Sequence, residues 1–159
     1  MSSYILNLRK TVGHAPLLQC GASVIVENER GEILLGRRTD NHKWGYAGGS
    51  VELGESAEDC ARRELREETG LIAGELELFC VNSGAEAHYV YPNGDEAYNV
   101  EIVCLCRNSH GELRHSDEMT ELRFFALEEI PEEISDPIRP VVRRYIEMRK
   151  KEEGALCIG

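Results

Sequence analysis

The sequence predicts an α/β protein in which a mixed β-sheet lies between helices. Three features point there. Short apolar runs of strand length recur along the chain, a capped helical segment sits between them, and an amphipathic segment closes the chain. The 159 residues fit one domain, 1–159, with a core able to bury roughly 70% of the unfolded chain's surface. Within it, 1–16 reads as a helical extension, 17–151 as the core and 152–159 as a tail.

Ser3 can cap a short helix over Tyr4–Lys10, with Gly13 beyond its end. Leu17–Glu27 reads as a strand, with Ala22, Val24 and Val26 on one face and Ser23 and Ile25 on the other. Glu29-Arg30-Gly31 turns the chain into a second strand, Glu32–Arg38. Thr39–Tyr46 reads as a polar loop, and Gly48-Gly49 as a tight, exposed backbone. Ser56 is a good helix N-cap, followed by Glu58 and Asp59 in the first turn, and Gly70 is the stop. Strands follow at 76–82 and 87–91, then a Pro92-Asn93-Gly94-Asp95 turn and an apolar strand over 98–107. A strand over 121–126 and a helix over 136–151 complete the order. Ile138, Val141, Val142, Tyr145, Ile146 and Met148 supply the apolar face of that helix.

Composition excludes several functions. The net charge is −11, so a nucleic-acid polymer is not an expected partner. No apolar run has the length of a membrane span, and the N-terminus does not read as a secretory signal. The six cysteines, Cys20, Cys60, Cys80, Cys104, Cys106 and Cys157, contain no Cys-x-x-Cys pair. They read as reduced, mostly buried thiols of a cytoplasmic protein. An anionic substrate would need a divalent cation to offset the protein's own charge.

The central helix carries the chemistry. With Ala57 at 0° and 100° per residue, Cys60, Ala61 and Leu65 fall at roughly −60°, 40° and 80° and define an apolar stripe. Glu64, Glu67 and Glu68 fall at roughly −20°, −80° and 20°, on the same side. Asp59, Arg62, Arg63 and Arg66 occupy the opposite side. An ordinary solvated helix would turn its acids away from the stripe. Carboxylates on the buried side must be protonated, paired with arginine or bound to cations. Three of them at i, i+3 and i+4 can converge on a hard ion such as Mg²⁺.

The segment from Gly49 to Leu71 resembles the Nudix box: Gly49, five residues, Glu55, seven residues, Arg63-Glu64-Leu65, one residue, Glu67-Glu68, one residue, Gly70-Leu71. Leu34-Leu35-x-Arg37-Arg38, Trp44-Gly45, the Gly48-Gly49 pair and the stretch from Phe124 to Pro131 resemble the family too, and the likeness spans roughly residues 17–150. Ala47 departs from it, since many relatives have proline there.

The resemblance implies a Nudix-type α/β/α sandwich and a Mg²⁺-dependent hydrolase, with Mn²⁺ as a substitute. The bond cleaved would be a phosphoanhydride in a nucleoside diphosphate linked to another group. It implies that Glu67 and Glu68 are the main metal ligands and that Glu64 is a further ligand or the catalytic base. The Gly48 carbonyl would be another ligand, and Glu55 and Arg63 an ordering ion pair. A late-loop acid is expected as well, with Glu118 the better match and Glu121 the second. Substrate contacts are expected from Arg37, Arg38, Trp44 and Tyr89, although each also reads as a structural residue: strand ion pairs for the arginines, core cover for Trp44, a strand face for Tyr89. Tyr89 resembles a marker of dinucleoside polyphosphate hydrolases, which gives the alternative substrate. A non-catalytic nucleotide-binding domain is another alternative, disfavoured because every box carboxylate is kept. The proline that marks many ADP-ribose hydrolases is absent at Glu86. The five histidines show no metal-ligand spacing. Relatives are often homodimers, so a homodimer is one expected state.

Overall fold

The computed structural model describes the backbone of residues 3–158 and the side chains of residues 4–154. The side chains of Ser3, expected as a helix cap, and of Cys157 lie outside the described residues. The chain runs α1 (Ser3–Val12), β1 (Leu17–Val26), β2 (Ile33–Arg38), β3 (Trp44–Gly45), β4 (Ala47–Ser50), α2 (Ala57–Thr69), β5 (Glu77–Asn82), β6 (His88–Val90), β7 (Glu96–Cys106), β8 (Met119–Phe125) and α3 (Arg139–Ile158).

Helices flank mixed strands, as expected, but the strands form two sheets. One is five-stranded, in the order β4-β1-β7-β5 with β6 also on β7. The other is three-stranded, β3-β2-β8. The centre of the first is a parallel pairing of β1 with β7, from Leu17↔Ala97 to Val26↔Cys106. The β1–β2 hairpin passes from one sheet to the other. Asn28 Oδ1 accepts from the backbone N–H groups of Arg30 and Glu32, Gly31 takes φ 75°, and only a Glu27↔Ile33 bridge joins the hairpin's two arms.

Alternation on β1 and β7 assigns the two faces of the larger sheet. Ala22, Val24, Val26, Cys104 and Cys106 pack with Cys60, Ala61 and Leu65 of α2. Burying one such leucine completely stabilises the fold by about 1.5–3 kcal/mol. Ile25, Val103 and Leu105 on the other face join Ile33, Leu35 and Phe125 of the second sheet and Val141, Val142 and Tyr145 of α3.

Several expectations change. Trp44–Gly45, read as loop, is a strand paired with Gly36 and Arg37. Gly48 and Gly49 are not exposed loop but part of β4, opposite Ser23 and Ala22. The strand read as 121–126 begins earlier, at Met119. The final helix is preceded by a 3-10 turn over Asp136–Ile138 and continues through Ile158, so most of the predicted tail is helical. Among the described residues, Cys60, Cys80, Cys104 and Cys106 are buried and Cys20 is exposed, all with free thiols. No helix among them is long and apolar enough to cross a membrane.

Candidate active site

The site is built where β4 lies along α2. Helix α2 starts at Ser56, whose hydroxyl accepts from the Asp59 N–H at 3.0 Å, and stops at Gly70, left-handed at φ 78°, whose N–H donates to the Arg66 carbonyl. These caps fix which residues face β4. The row Cys60, Glu64, Glu68 runs beneath that strand. The Cys60 thiol donates toward the Ser50 and Gly49 carbonyls, and the Gly48 N–H donates to Glu68 Oε1 at 3.1 Å. The glycine pair is explained by close approach. A Cβ on Gly49 would collide with the Glu64 carboxylate, and one on Gly48 with the Ser23 hydroxyl.

Glu64 and Glu68 are each only 5% exposed. They stand one helical turn apart on the covered side of α2, so two charged carboxylates there repel each other. Burial first, and then the Glu64 charge, push the Glu68 carboxyl well above the ordinary glutamate range, and the Glu118 charge adds to this. Glu118 therefore faces the same pair, and it lines the same cavity as Glu64, Gly48 and Gly49. Glu121 lines neither cavity described below; it sits on β8 opposite Arg37, 3.9 Å from Arg123.

Glu67 departs from the helical-wheel expectation. Its side chain is 42% exposed, beside Arg63 in the neighbouring row, with Oε2 3.4 Å from Arg63 Nη1. Strand β4 covers the 60–64–68 row and leaves the 63–67 row at its rim. Arg63, placed by the wheel on the far side, instead turns back toward the acids. It donates to both Glu55 oxygens at 2.7 and 2.9 Å, to Glu64 Oε1 at 2.8 Å and to the Ser50 carbonyl at 3.2 Å. Glu55 also accepts from the Glu52 N–H, which orders the loop between β4 and α2.

The Arg63 guanidinium holds the Glu55 carboxyl at about 2, below its ordinary 4.5. That pairing contributes stability above the unfolded value near 4.5, and the contribution is lost as pH falls through about 2. Arg63→Ala is therefore expected to destabilise the metal-free protein by about 1–3 kcal/mol at neutral pH and to slow turnover. Melting curves check this: the gap to wild type should close as the pH falls toward about 2. A gap equally wide at both pH values would remove the ion pair as its cause.

Two adjoining cavities open around β4, sharing Gln19, Arg38, Gly48, Gly49, Ser50 and Tyr91. The larger, about 510 Å³, holds Glu64 and Glu118. The smaller, about 130 Å³, lies between the two sheets. Polar residues missed at the sequence level line it: Gln19, Ser23, Tyr46, Asn99 and Glu101. Glu101 accepts from the Tyr46 hydroxyl at 2.7 Å and the Ser23 hydroxyl at 3.0 Å, and burial pushes its carboxyl above the ordinary range. Gln19 is 5% exposed, and its Oε1 is the one buried side-chain polar atom among the described residues without a hydrogen-bond partner. The available signal was polar alternation, Gln19-x-Gly21-x-Ser23 on β1 and Asn99-x-Glu101 on β7, where a core strand would be apolar.

The expected substrate residues separate. Tyr89 lines the smaller cavity, accepts from Asn41 Nδ2 at 2.7 Å and packs edge-on against Tyr91. Arg38 lines both cavities and is bidentate to Asp40 at 2.9 and 2.7 Å. Arg37 donates to the His42 carbonyl and lines neither. Trp44 is 5% exposed and packs edge-on against Phe125, which makes it core rather than a lid.

Residues 17–145 match the family model for the NUDIX domain. The chain belongs to the NUDIX family. A stretch of 53 residues is 56% identical to a protein of Bacillus subtilis (strain 168), covering 33% of this chain and 36% of that one. The NUDIX chain is also 34% identical over 109 residues to the ADP-ribose pyrophosphatase of Methanocaldococcus jannaschii, covering 67% of this chain and 61% of that protein. It thus spans about a third of the first of these curated relatives and somewhat less than two thirds of the second. The crystal structure of a MutT NUDIX hydrolase from Burkholderia pseudomallei superposes with a TM-score of 0.67 at 28% identity, covering 82% of this chain and 97% of that one.

Proposed function

We propose that this NUDIX domain is a divalent-metal-dependent hydrolase that cleaves a phosphoanhydride bond in a nucleoside diphosphate linked to another group. The observation that carries this reading is the buried Glu64–Glu68 pair under the Gly48-Gly49 strand, at the junction of two cavities. Two carboxyls so placed repel each other at neutral pH unless a proton or a cation lies with them.

The residues fit a hard cation. The donors are all oxygens, and Gly49 leaves the Glu64 carboxylate room that a Cβ would fill. Among the described residues, no group of three or more His, Cys, Asp or Glu side chains is gathered tightly enough to form a cage. Mg²⁺ suits that, since it takes one or two carboxylates and completes its shell with water and substrate phosphate. Glu64 and Glu68 would hold it, with the Gly48 carbonyl and with Glu67 and Glu118 from the rim. Bound there, the ion supplies positive charge against the phosphate oxygens and acidifies water.

The chain's own residues supply the rest. Arg63 fixes one oxygen of Glu64 and leaves Oε2 to accept a proton from the attacking water. Glu118, facing the same pair, is the other acid positioned for that transfer. Arg38, where the cavities meet, is placed to bind a phosphate oxygen. The smaller cavity, with Tyr89, Tyr91 and a polar floor, suits a nucleobase.

Incubation with Mg²⁺ and a panel of nucleoside diphosphate conjugates, dinucleoside polyphosphates and nucleoside triphosphates tests the reading. Release of a nucleoside monophosphate from at least one conjugate is expected, and no hydrolysis of any panel member would overturn it. Dinucleoside polyphosphates are the second substrate class, favoured by the Tyr89–Tyr91 pair. Tyr89→Ala should raise KM on the best substrate by about 1–3 kcal/mol of lost stacking. An unchanged KM would leave Tyr89 as a strand residue only.

A further inference from the structure

Helix α1 precedes the matched NUDIX region, which begins at residue 17, yet it forms a wall of the larger cavity. Ile5, Leu6 and Arg9 line that cavity together with Glu64 and Glu118. The helix is fixed at both ends. The Tyr4 N–H donates to Glu52 Oε2 at 3.1 Å, on the loop after β4. Arg9, with its side chain only 8% exposed, donates to the Gly13, Ala15 and Glu96 carbonyls at 3.0, 2.6 and 2.7 Å. The last of these carbonyls belongs to β7. Helix α1 therefore bridges from the β4–α2 loop to β7, beside the buried acids.

The wall has a definite chemistry. Ile5 and Leu6 give it an apolar side, with Leu6 47% exposed. Asn93, Asp117 and Glu118 give it hydrogen-bonding groups. Of its two lining arginines, Arg9 is engaged by three carbonyls and by Asp95 at 3.8 Å, and Arg38, bidentate to Asp40, is the one placed for the diphosphate itself. A second phosphate-bearing group would meet Asp117 and Glu118 with no arginine of this wall left over. A neutral group carrying hydroxyls would find acceptors for its O–H groups and an apolar surface for its C–H face.

We infer that α1 builds the half-site for the group joined to the nucleoside diphosphate, and that this group is a sugar packed on Ile5 and Leu6. The inference rests on the hydrolase reading above and adds to it a specificity element outside the family's matched region.

The test uses the full chain with ADP-ribose and with ADP-, GDP- and UDP-glucose. The matching nucleoside diphosphate, which lacks the sugar, serves as a competitive inhibitor. Leu6→Asn should raise KM for the preferred sugar conjugate about tenfold while the inhibitor's Ki and the melting temperature stay near wild type. Leu6→Met, which restores apolar contact, should return KM toward wild type. Equal rises in KM and Ki, or an unchanged KM, would overturn the inference while leaving the hydrolase reading intact. So would wild-type turnover of a dinucleoside tetraphosphate faster than of every sugar conjugate. Failure of the wild type to hydrolyse any nucleotide would overturn both.

Discussion

Glu68→Gln should abolish most turnover and at the same time stabilise the metal-free protein. The amide keeps the side chain's shape and can still accept from the Gly48 N–H, but it removes a charge from a site only 5% exposed. The effect on stability has a definite pH dependence. Burial and the Glu64 charge raise the Glu68 carboxyl above its unfolded value of 4.5. Below that value the group is protonated in both states and exacts no penalty. As pH rises past it, the unfolded chain ionises more readily than the folded one, and the folded state loses stability until the raised folded value is passed. The melting temperature of metal-free Glu68→Gln should therefore match wild type at about pH 4 and exceed it at neutral pH. Loss of one of the two buried carboxylates should lower kcat by roughly two orders of magnitude or more, as when an interaction made in the transition state is removed. A variant that keeps wild-type kcat at saturating Mg²⁺ would show that Glu68 is not among the ion's ligands.

What the sequence made legible was local. Ser56 and Gly70 set the bounds of α2, and the helical wheel placed Glu64 and Glu68 on its buried side. The wheel also put Glu67 there and Arg63 on the far side, because it knows angles and not what covers them. Strand β4 is four residues long and overlies one row of the helix, so Glu67, one row away, lies at the rim, and the long Arg63 side chain reaches round to Glu55 and Glu64. The smaller cavity was not legible for a different reason. Gln19, Ser23, Asn99 and Glu101 share a face only because β1 and β7 pair in parallel, and the paired residues, from Leu17↔Ala97 to Val26↔Cys106, lie 80 positions apart in the sequence. Trp44 looked like a loop residue because β3 is only two residues long, too short for alternation to show, and Tyr46 lies buried in the one-residue gap between β3 and β4. Helix α1 was legible as a helix, with Gly13 left-handed at its end at φ 62°, but its place beside the buried acids depends on tertiary contacts through Arg9.

Removal of divalent metal should have the largest effect of all. The chain carries 29 acidic and 18 basic residues. Its larger cavity adds Glu64, Asp117 and Glu118 around the point where a diphosphate would sit. Two like charges 4 Å apart near a protein surface repel by about 4 kcal/mol, so an anionic substrate meets a barrier that Arg38 alone does not offset. The direct test of the account is phosphoanhydride cleavage of the best panel substrate by protein stripped with EDTA, followed across a Mg²⁺ titration. Turnover should fall to background in the chelator and return as Mg²⁺, or Mn²⁺ in its place, is added back. Full turnover in excess EDTA, after bound metal has been removed, would contradict it.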